Sequence, residues 1–305
     1  MTLRQLEYLL AVAEAGSFTT AAANLHVAQP SLSHQIKVLE EQVGVQLLDR
    51  PPKPVRLTRA GRAFVSEARV SVASAQRAID AARQAVKLEP THISVATVQS
   101  LSVSALPDCL QRWHAREPAA IVKLREFTHR RDVERAVRER VAELGVGPAP
   151  REWRGAYESL GWDELVAVLP AGDPLLQSPN PVRLEMLTDA SWVLFDEAHG
   201  LADNVHRACA DAGFEPRPVV RTTQVEAAAK LAASGLGPAL VPLRNVPEDS
   251  EHVVRKLDPP VVWELALFAE ARRFSTPSRG FVDALLHGDW QRACPAGARV
   301  LDPED

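Results

Sequence analysis

A chain of 305 residues, 46% hydrophobic and 24% charged, has the make-up of an ordinary folded protein with room for two domains. Its net charge of −4 conceals a split: residues 1–87 hold eleven Lys/Arg against seven Asp/Glu, the remainder twenty-four against thirty-two, so a basic beginning precedes an acidic body. Arg4, Glu7 and Glu14 interrupt the first apolar segment and no long uncharged run follows, which argues against a signal peptide or membrane span and for a cytoplasmic protein.

In chain order, Leu3, Leu6, Leu9, Leu10 and Ala13 share one face of a first helix that stops near Gly16. Ser17 is placed to cap a second helix carrying Phe18, Ala21, Ala22 and Leu25, and the short Ala21–Ala23 side chains let crossing helices approach closely. A third helix follows Val27, with Pro30 in its first turn and Leu32, Ile36, Leu39 and Val43 on its apolar face. Its opposite face carries Ser31, Ser33, His34, Gln35 and Lys37. Helix, tight turn and a second helix with a polar outer face are the form of a helix-turn-helix, although a plain solvated face would look the same. Gln29 and Gln35 suit base edges or phosphate, and unused N–H groups near Gln29 and Ser31 would point the helix start at a phosphate. Beyond Gly44 and Leu47-Leu48, two extended pieces flank the turn Pro51-Pro52-Lys53-Pro54 and predict a β-wing presenting Arg50, Lys53 and Arg56 to the DNA backbone or minor groove.

The run from Ala21 to Glu40, continued through Glu41, Gly44, Leu47-Leu48-Asp49-Arg50 and Leu57-Thr58-Arg59-Ala60-Gly61, resembles the N-terminal signature of LysR-type transcriptional regulators. That family usually has Phe at the position of Leu48 and often Arg at that of His34. The resemblance implies a winged helix-turn-helix domain over 1–58 that binds double-stranded promoter DNA at an interrupted inverted repeat.

No Pro or Gly occurs between Arg62 and Glu89, and Val65, Ala68, Val72, Ala75, Ile79, Ala82 and Val86 recur three or four apart. This heptad seam predicts a linker helix over 59–89 that either pairs two chains or packs along its own domain. In the resembled family this helix makes the homodimer, with a homotetramer as the larger assembly.

After Pro90 the pattern changes to short apolar strands alternating with helices, an α/β fold. Strands are expected at Ile93–Thr97, Ile121–Leu124, Leu165–Leu169, Ser191–Phe195, Val219–Thr222 and Ala239–Val241. Helices are expected at Leu106–His114, Arg131–Glu143, Ala202–Ala212 and Val225–Ala233. The resemblance implies a two-lobed effector domain like the periplasmic solute-binding proteins, with 90–161 and 267–294 as one lobe and 162–266 as the other. Residues 295–305, rich in Pro, Gly and acidic residues, are expected to form a disordered tail.

Ligands in such folds sit beyond the C-terminal ends of strands. Ser100 and Ser102, Thr128, the loop after Phe195, and Thr222 and Thr223 are therefore effector-site candidates, with Ser100 and Ser102 at the resembled family's position. Hydroxyls and helix-start amides suit a small carboxylate or other polar metabolite, and each could equally be a helix cap. Gly235-Leu236-Gly237 follows a helix and precedes a strand, the reverse of a dinucleotide fingerprint, and reads as a cap. In Arg138–Leu144 the chain departs from the family, which commonly has Gly and then an Asp-containing strand. His199, near Asp196 and Glu197, reads as part of a surface loop. Cys109, Cys209 and Cys294 read as separate thiols. No catalytic set, cofactor motif or metal-ligand spacing emerges. The leading reading is a regulator controlled by a metabolite between the lobes. An effector-independent regulator, and a cytoplasmic solute-binding module or α/β enzyme with an accessory basic domain, stay open beside it.

Overall fold

The computed structural model describes residues 1–49, 55–85, 92–177, 181–275 and 278–301. The chain divides into two compact units, one of Met1–Pro90 with Arg138–Val141 and one of the remainder.

The first unit opens with α1 (Leu3–Ala15), started by a reciprocal cap between Thr2 and Gln5 and ended at Gly16, whose φ of 61° suits glycine. Helix α2 (Phe18–Asn24) is capped by Ser17, and α3 (Gln29–Val43) carries Pro30 in its first turn. Leu6, Leu9, Val12, Ala21, Ala22, Leu32, Ile36 and Leu39 close into one core. Two short strands, β1 (Leu48–Asp49) and β2 (Arg56–Leu57), pair antiparallel as the stem of the expected wing. Buried Glu40 fixes that stem to α3: its Oε1 accepts the N–H groups of Leu47 and Leu48 at 2.8 and 3.1 Å. Thr58 and Gly61 close the other side. The Thr58 hydroxyl donates to the Gln46 carbonyl, and a Cβ on Gly61 would meet the Leu47 carbonyl oxygen at 1.9 Å.

Helix α4 (Arg59–Ala85) is shared between two tasks. Val65 and Ala68 are buried in the domain's own core and Val72 packs against it. Ala75 is half-buried, while Ile79 is 47% exposed and Ala82 is exposed. This corrects the expectation of one uninterrupted pairing seam: its first half is occupied within the chain. Val86 lies outside the described residues.

The second unit is built from β3 (His92–Val98), α5 (Gln99–Val103), α6 (Leu106–His114), β4 (Ile121–Phe127), α7 (Arg130–Arg138), β5 (Leu144–Pro148) and β6 (Ala156–Val168). It continues with β7 (Ser191–Phe195), α8 (Gly200–Asp211), β8 (Arg217–Thr222), α9 (Val225–Leu231), β9 (Ala239–Pro242), β10 (Val254–Ala269), α10 (Arg279–Leu286) and β11 (Arg299–Val300). The main sheet runs β4-β3-β5-β10-β6-β9, with β11 also on β10, and β7-β8 form a separate parallel pair. Strands β3, β4 and β5 are mutually parallel, whereas β6 and β10 run antiparallel from Ala156–Ala269 to Val168–Val254. These two long strands join the half that holds β5 to the half that holds β9.

Two elements depart from expectation. Helix α7 ends at Arg138, short of the expected Glu143, and β5, a strand that was not expected, begins at Leu144. Its Gly145 is required by packing, since a Cβ there would meet the Phe268 ring at 2.3 Å. Instead of a frayed tail from 295, Arg299–Val300 pair with Val261–Val262 of β10, and Leu301 is buried. Gly237 caps the turn into β9 as expected, with φ 142°, and a Cβ there would lie 1.7 Å from the Ser191 carbonyl oxygen.

Replacing Glu40 with Ala strands two buried N–H groups. Urea unfolding of the first unit is expected to show a loss of about 2–4 kcal/mol; an unchanged midpoint would refute the anchoring role.

Candidate nucleic-acid interface and ligand cavity

On α3, Gln29, Pro30, Ser31, His34 and Lys37 are exposed, and Ser33 and Gln35 are half-buried. The Ser31 N–H donates to the Ala28 carbonyl at 3.0 Å, so it is not the unused donor expected from the sequence. Gln35 is positioned from behind: its Oε1 accepts from Gln5 Nε2 at 3.2 Å, and Gln5 also closes the α1 cap. The polar face of α3 is thus braced against α1 at Gln35. Lys37 is 3.9 Å from Glu41, an exposed pair of small energetic weight. Arg56 is exposed on β2; Arg50 and Lys53 lie outside the described residues.

In the second unit a cavity of about 440 Å³ opens beside the ends of β3 and β4. Ser100 and Thr128 line it, as their place after those strands predicts. Ser102, Phe195, Thr222 and Thr223 do not. Ser102 bonds back to the Gln99 carbonyl, and Thr222 Oγ1 accepts the Gln224 N–H before α9. Thr223 is exposed elsewhere. Phe195 is buried and stacks on His199 at 4.9 Å between ring centres.

His199 is a buried cap rather than a surface-loop residue. Its Nδ1 accepts the Leu201 N–H at 3.1 Å, while the Gly200 N–H donates to Thr128 O and the Ala202 N–H to His199 O. The first amides of α8 are therefore already occupied, which corrects the expectation that they face a ligand. His129 plays the matching part for α7, with its Nδ1 accepting from the Arg131 N–H. Burial, followed by the nearby His129, lowers the His199 pKa and keeps the ring neutral for this role.

The loop after Phe195, also expected as a candidate, adds His199 and Gly200 to the lining, whereas the walls from β6 and β10 were not foreseen. Trp162 and Asp163 on β6, and Trp263 and Glu264 on β10, lie in register with one another, with Trp153 and Tyr157 beyond them. Burial, then the neighbouring Glu264, raises the Tyr157 pKa. Asp163 is 4% exposed and accepts a hydrogen bond from the Glu164 N–H. Desolvation pushes its pKa up to about 6, partly offset by that bond and by Arg244. No helical or strand periodicity marks a carboxylate as cavity-facing; an Asp amid the apolar β6 run was the available signal. Among the described residues no group of three His, Cys, Asp or Glu forms a metal site. Cys109 and Cys209 are buried and Cys294 exposed, all as free thiols. Burial raises the Cys109 pKa and pushes Cys209 up to about 12, which leaves both thiols poorly reactive.

Because the native Asp163 holds its proton to higher pH than an unfolded chain, its contribution turns unfavourable as pH rises from about 4 through 6. Asp163→Asn is expected to match the parent near pH 4 and to gain up to about 3 kcal/mol by pH 7.5 in urea titrations. A stability difference that does not vary with pH would refute the assignment.

The geometry is matched by known proteins. The family description "Bacterial regulatory helix-turn-helix protein, lysR family" fits residues 3–62, and "LysR substrate binding domain" fits 87–289. The Hca operon transcriptional activator HcaR of Escherichia coli is 34% identical over 79% of this chain and 82% of its own. The regulator AlsR of Bacillus subtilis is 31% identical over 79% and 80%. The solved structure of full-length CbnR in complex with its target DNA is 27% identical, covers 93% of this chain and 99% of that one, and superposes with a TM-score of 0.65. The backed polar face of α3, the paired wing stem and the two-half α/β body thus belong together, and the chain is a member of the LysR family of DNA-binding transcriptional regulators.

Proposed function

We propose that this regulator is controlled by a small polar or carboxylate metabolite held in the cavity beside Ser100 and Thr128. The observation that carries the reading is that these residues, which follow two adjacent parallel strands, open into one cavity together with groups from both long crossing strands. The chain would then consist of the DNA reader over 1–58, the linker over 59–89, one lobe of 90–161 with 267–294, and a second of 162–266. Gln29, Ser33, Gln35 and Lys37 would meet DNA with His34 at their centre, and Arg56 would hold the backbone. Two such readers would recognise an interrupted inverted repeat in promoter DNA in the cytoplasm. A ligand shifts this system only by binding two arrangements of the protein with different affinity.

DNase footprints over the upstream region, with and without a panel of small acids and polar metabolites, test the reading. A ligand-dependent change that Ser100→Ala abolishes is expected. Identical footprints and transcription across the panel would favour the effector-independent alternative. Gln29→Ala is expected to weaken specific binding by roughly 5- to 150-fold, corresponding to about 1–3 kcal/mol for a good base contact.

The homodimer, and a tetramer built from it, is assigned to the outer part of α4, where Ile79 and Ala82 remain exposed and Ala75 is half-buried. Ile79→Glu is expected to halve the molar mass of the smallest stable species in light scattering. An unchanged mass would remove α4 as the pairing element.

A further inference from the structure

We infer that residues 290–301 form a strap that walls the ligand cavity, and that Val300 and Leu301 limit the size of the apolar part of a ligand held there. The size limit rests on the effector reading above; the wall does not. The segment lies beyond residue 289, where the family match stops.

The strap is attached to both crossing strands. On β6 the Trp162 N–H donates to the Gln291 carbonyl at 2.8 Å, and Arg292 Nη1 donates to the Leu160 carbonyl at 3.1 Å. Gly161 makes this approach possible: its φ is 137°, and a Cβ there would meet the Gln291 oxygen at 2.5 Å. On β10, Arg299 and Val300 pair parallel with Val261 and Val262, and the Leu301 N–H donates to the Val262 carbonyl at 2.8 Å. The residues that follow on each strand, Asp163 and Trp263, line the cavity.

A third attachment reaches α8. Arg299 Nη1 donates to the Ala208 carbonyl at 3.5 Å, and its Nε lies 3.7 Å from Asp211 Oδ2. The same helix presents Asp203, Asn204 and Arg207 to the cavity. Val300 and Leu301 therefore close a gap between α8 and the crossing strands. Leu301 is 6% exposed, whereas Val300 keeps 43% of its surface although it sits in a strand, as a side chain bordering an open cavity does. Val300 and Leu301 add aliphatic surface to a lining that also holds the rings of Trp162 and Trp263, with the hydroxyl of Ser100 among its polar groups. The ligand class that fits is a small molecule with a polar head and a flat apolar body whose length Val300 and Leu301 restrict.

The test uses the full chain, a chain ended after Ala298, and the variants Val300→Ala and Leu301→Ala, which keep the strap's backbone. In hydrogen exchange, a peptide spanning 299–301 of the full chain is expected to exchange at least roughly tenfold more slowly than an unstructured peptide. Acrylamide quenching of tryptophan fluorescence should rise in the shortened chain. Calorimetry with phenylacetates, phenethylamines and phenols bearing para-alkyl groups of growing length should show a cut-off in the full chain. Both alanine variants should move that cut-off outward by about one or two carbons. Free-chain exchange at 299–301, or unchanged quenching on shortening, would overturn the wall, and a cut-off common to all variants would overturn the size limit. If no probe binds the full chain while exchange and quenching behave as expected, the wall stands. In that case the effector reading falls, and the size limit falls with it.

Discussion

The second unit depends on the pairing of β6 with β10. These strands carry the chain between the half containing β5 and the half containing β9, and they are buried through most of their length. Buried backbone N–H and C=O groups must be paired, so neither strand can shift without the other. Their register decides which side chains meet: Trp162 stands opposite Glu264 and Asp163 opposite Trp263. The single irregularity near this point, between Leu265 and Ala266 opposite the Leu160–Gly161 stretch, turns the pair where the Gln291 carbonyl approaches. One ladder thus supplies a connection between the halves, a cavity wall and the seat of the strap.

That arrangement places strongly different demands on neighbouring groups. Asp163 is desolvated and its charge disfavoured, while His129 and His199 spend their Nδ1 atoms as acceptors on helix starts. The Thr128 carbonyl spends itself on the Gly200 N–H, which ties the end of β4 to the start of α8 at the cavity edge. The amides that open α8 at this edge are already occupied within the chain. The side chains that line the cavity include the hydroxyls of Ser100 and Thr128, tryptophan faces and carboxyl groups.

Much of the first unit was legible because its rules are local. The caps at Thr2, Ser17 and Gly16, the early Pro30 and the apolar spacing of Leu32, Ile36 and Leu39 each act within a few residues. In the second unit, Ser191–Phe195 and Leu106–His114 were readable for the same reason, as short apolar or amphipathic runs with clear breaks. Strand β5 was not, since Gly145, Gly147 and Pro148 imitate a turn; the glycine at 145 answers to Phe268, more than a hundred residues away. The cavity was half legible. Ser100 and Thr128 follow from strand ends, whereas Asp163, Trp263 and Leu301 depend on cross-strand register and on a docked segment whose composition suggests disorder. Thr222 failed for the ordinary reason that a hydroxyl before a helix more often serves the backbone, and Thr223 is exposed outside the cavity.

The same distinction between local and long-range demands clarifies α4. A heptad pattern reports only that a face is apolar, and it cannot say which partner covers it. Val65, Ala68 and Val72 are covered by the core that also holds α1 and α3, so the first half of the helix moves as one body with the polar face of α3. Gln5 and Glu40 extend that rigidity, one to Gln35 on the reading face and the other to the wing stem. A second chain pairing through Ile79 and Ala82 would therefore hold not a flexible tether but an extension of the reader itself. The spacing between two readers would then be set by helix geometry, at 1.5 Å per residue, rather than by a linker's freedom. This is the physical condition under which a dimer can distinguish half-sites by their separation as well as by their bases.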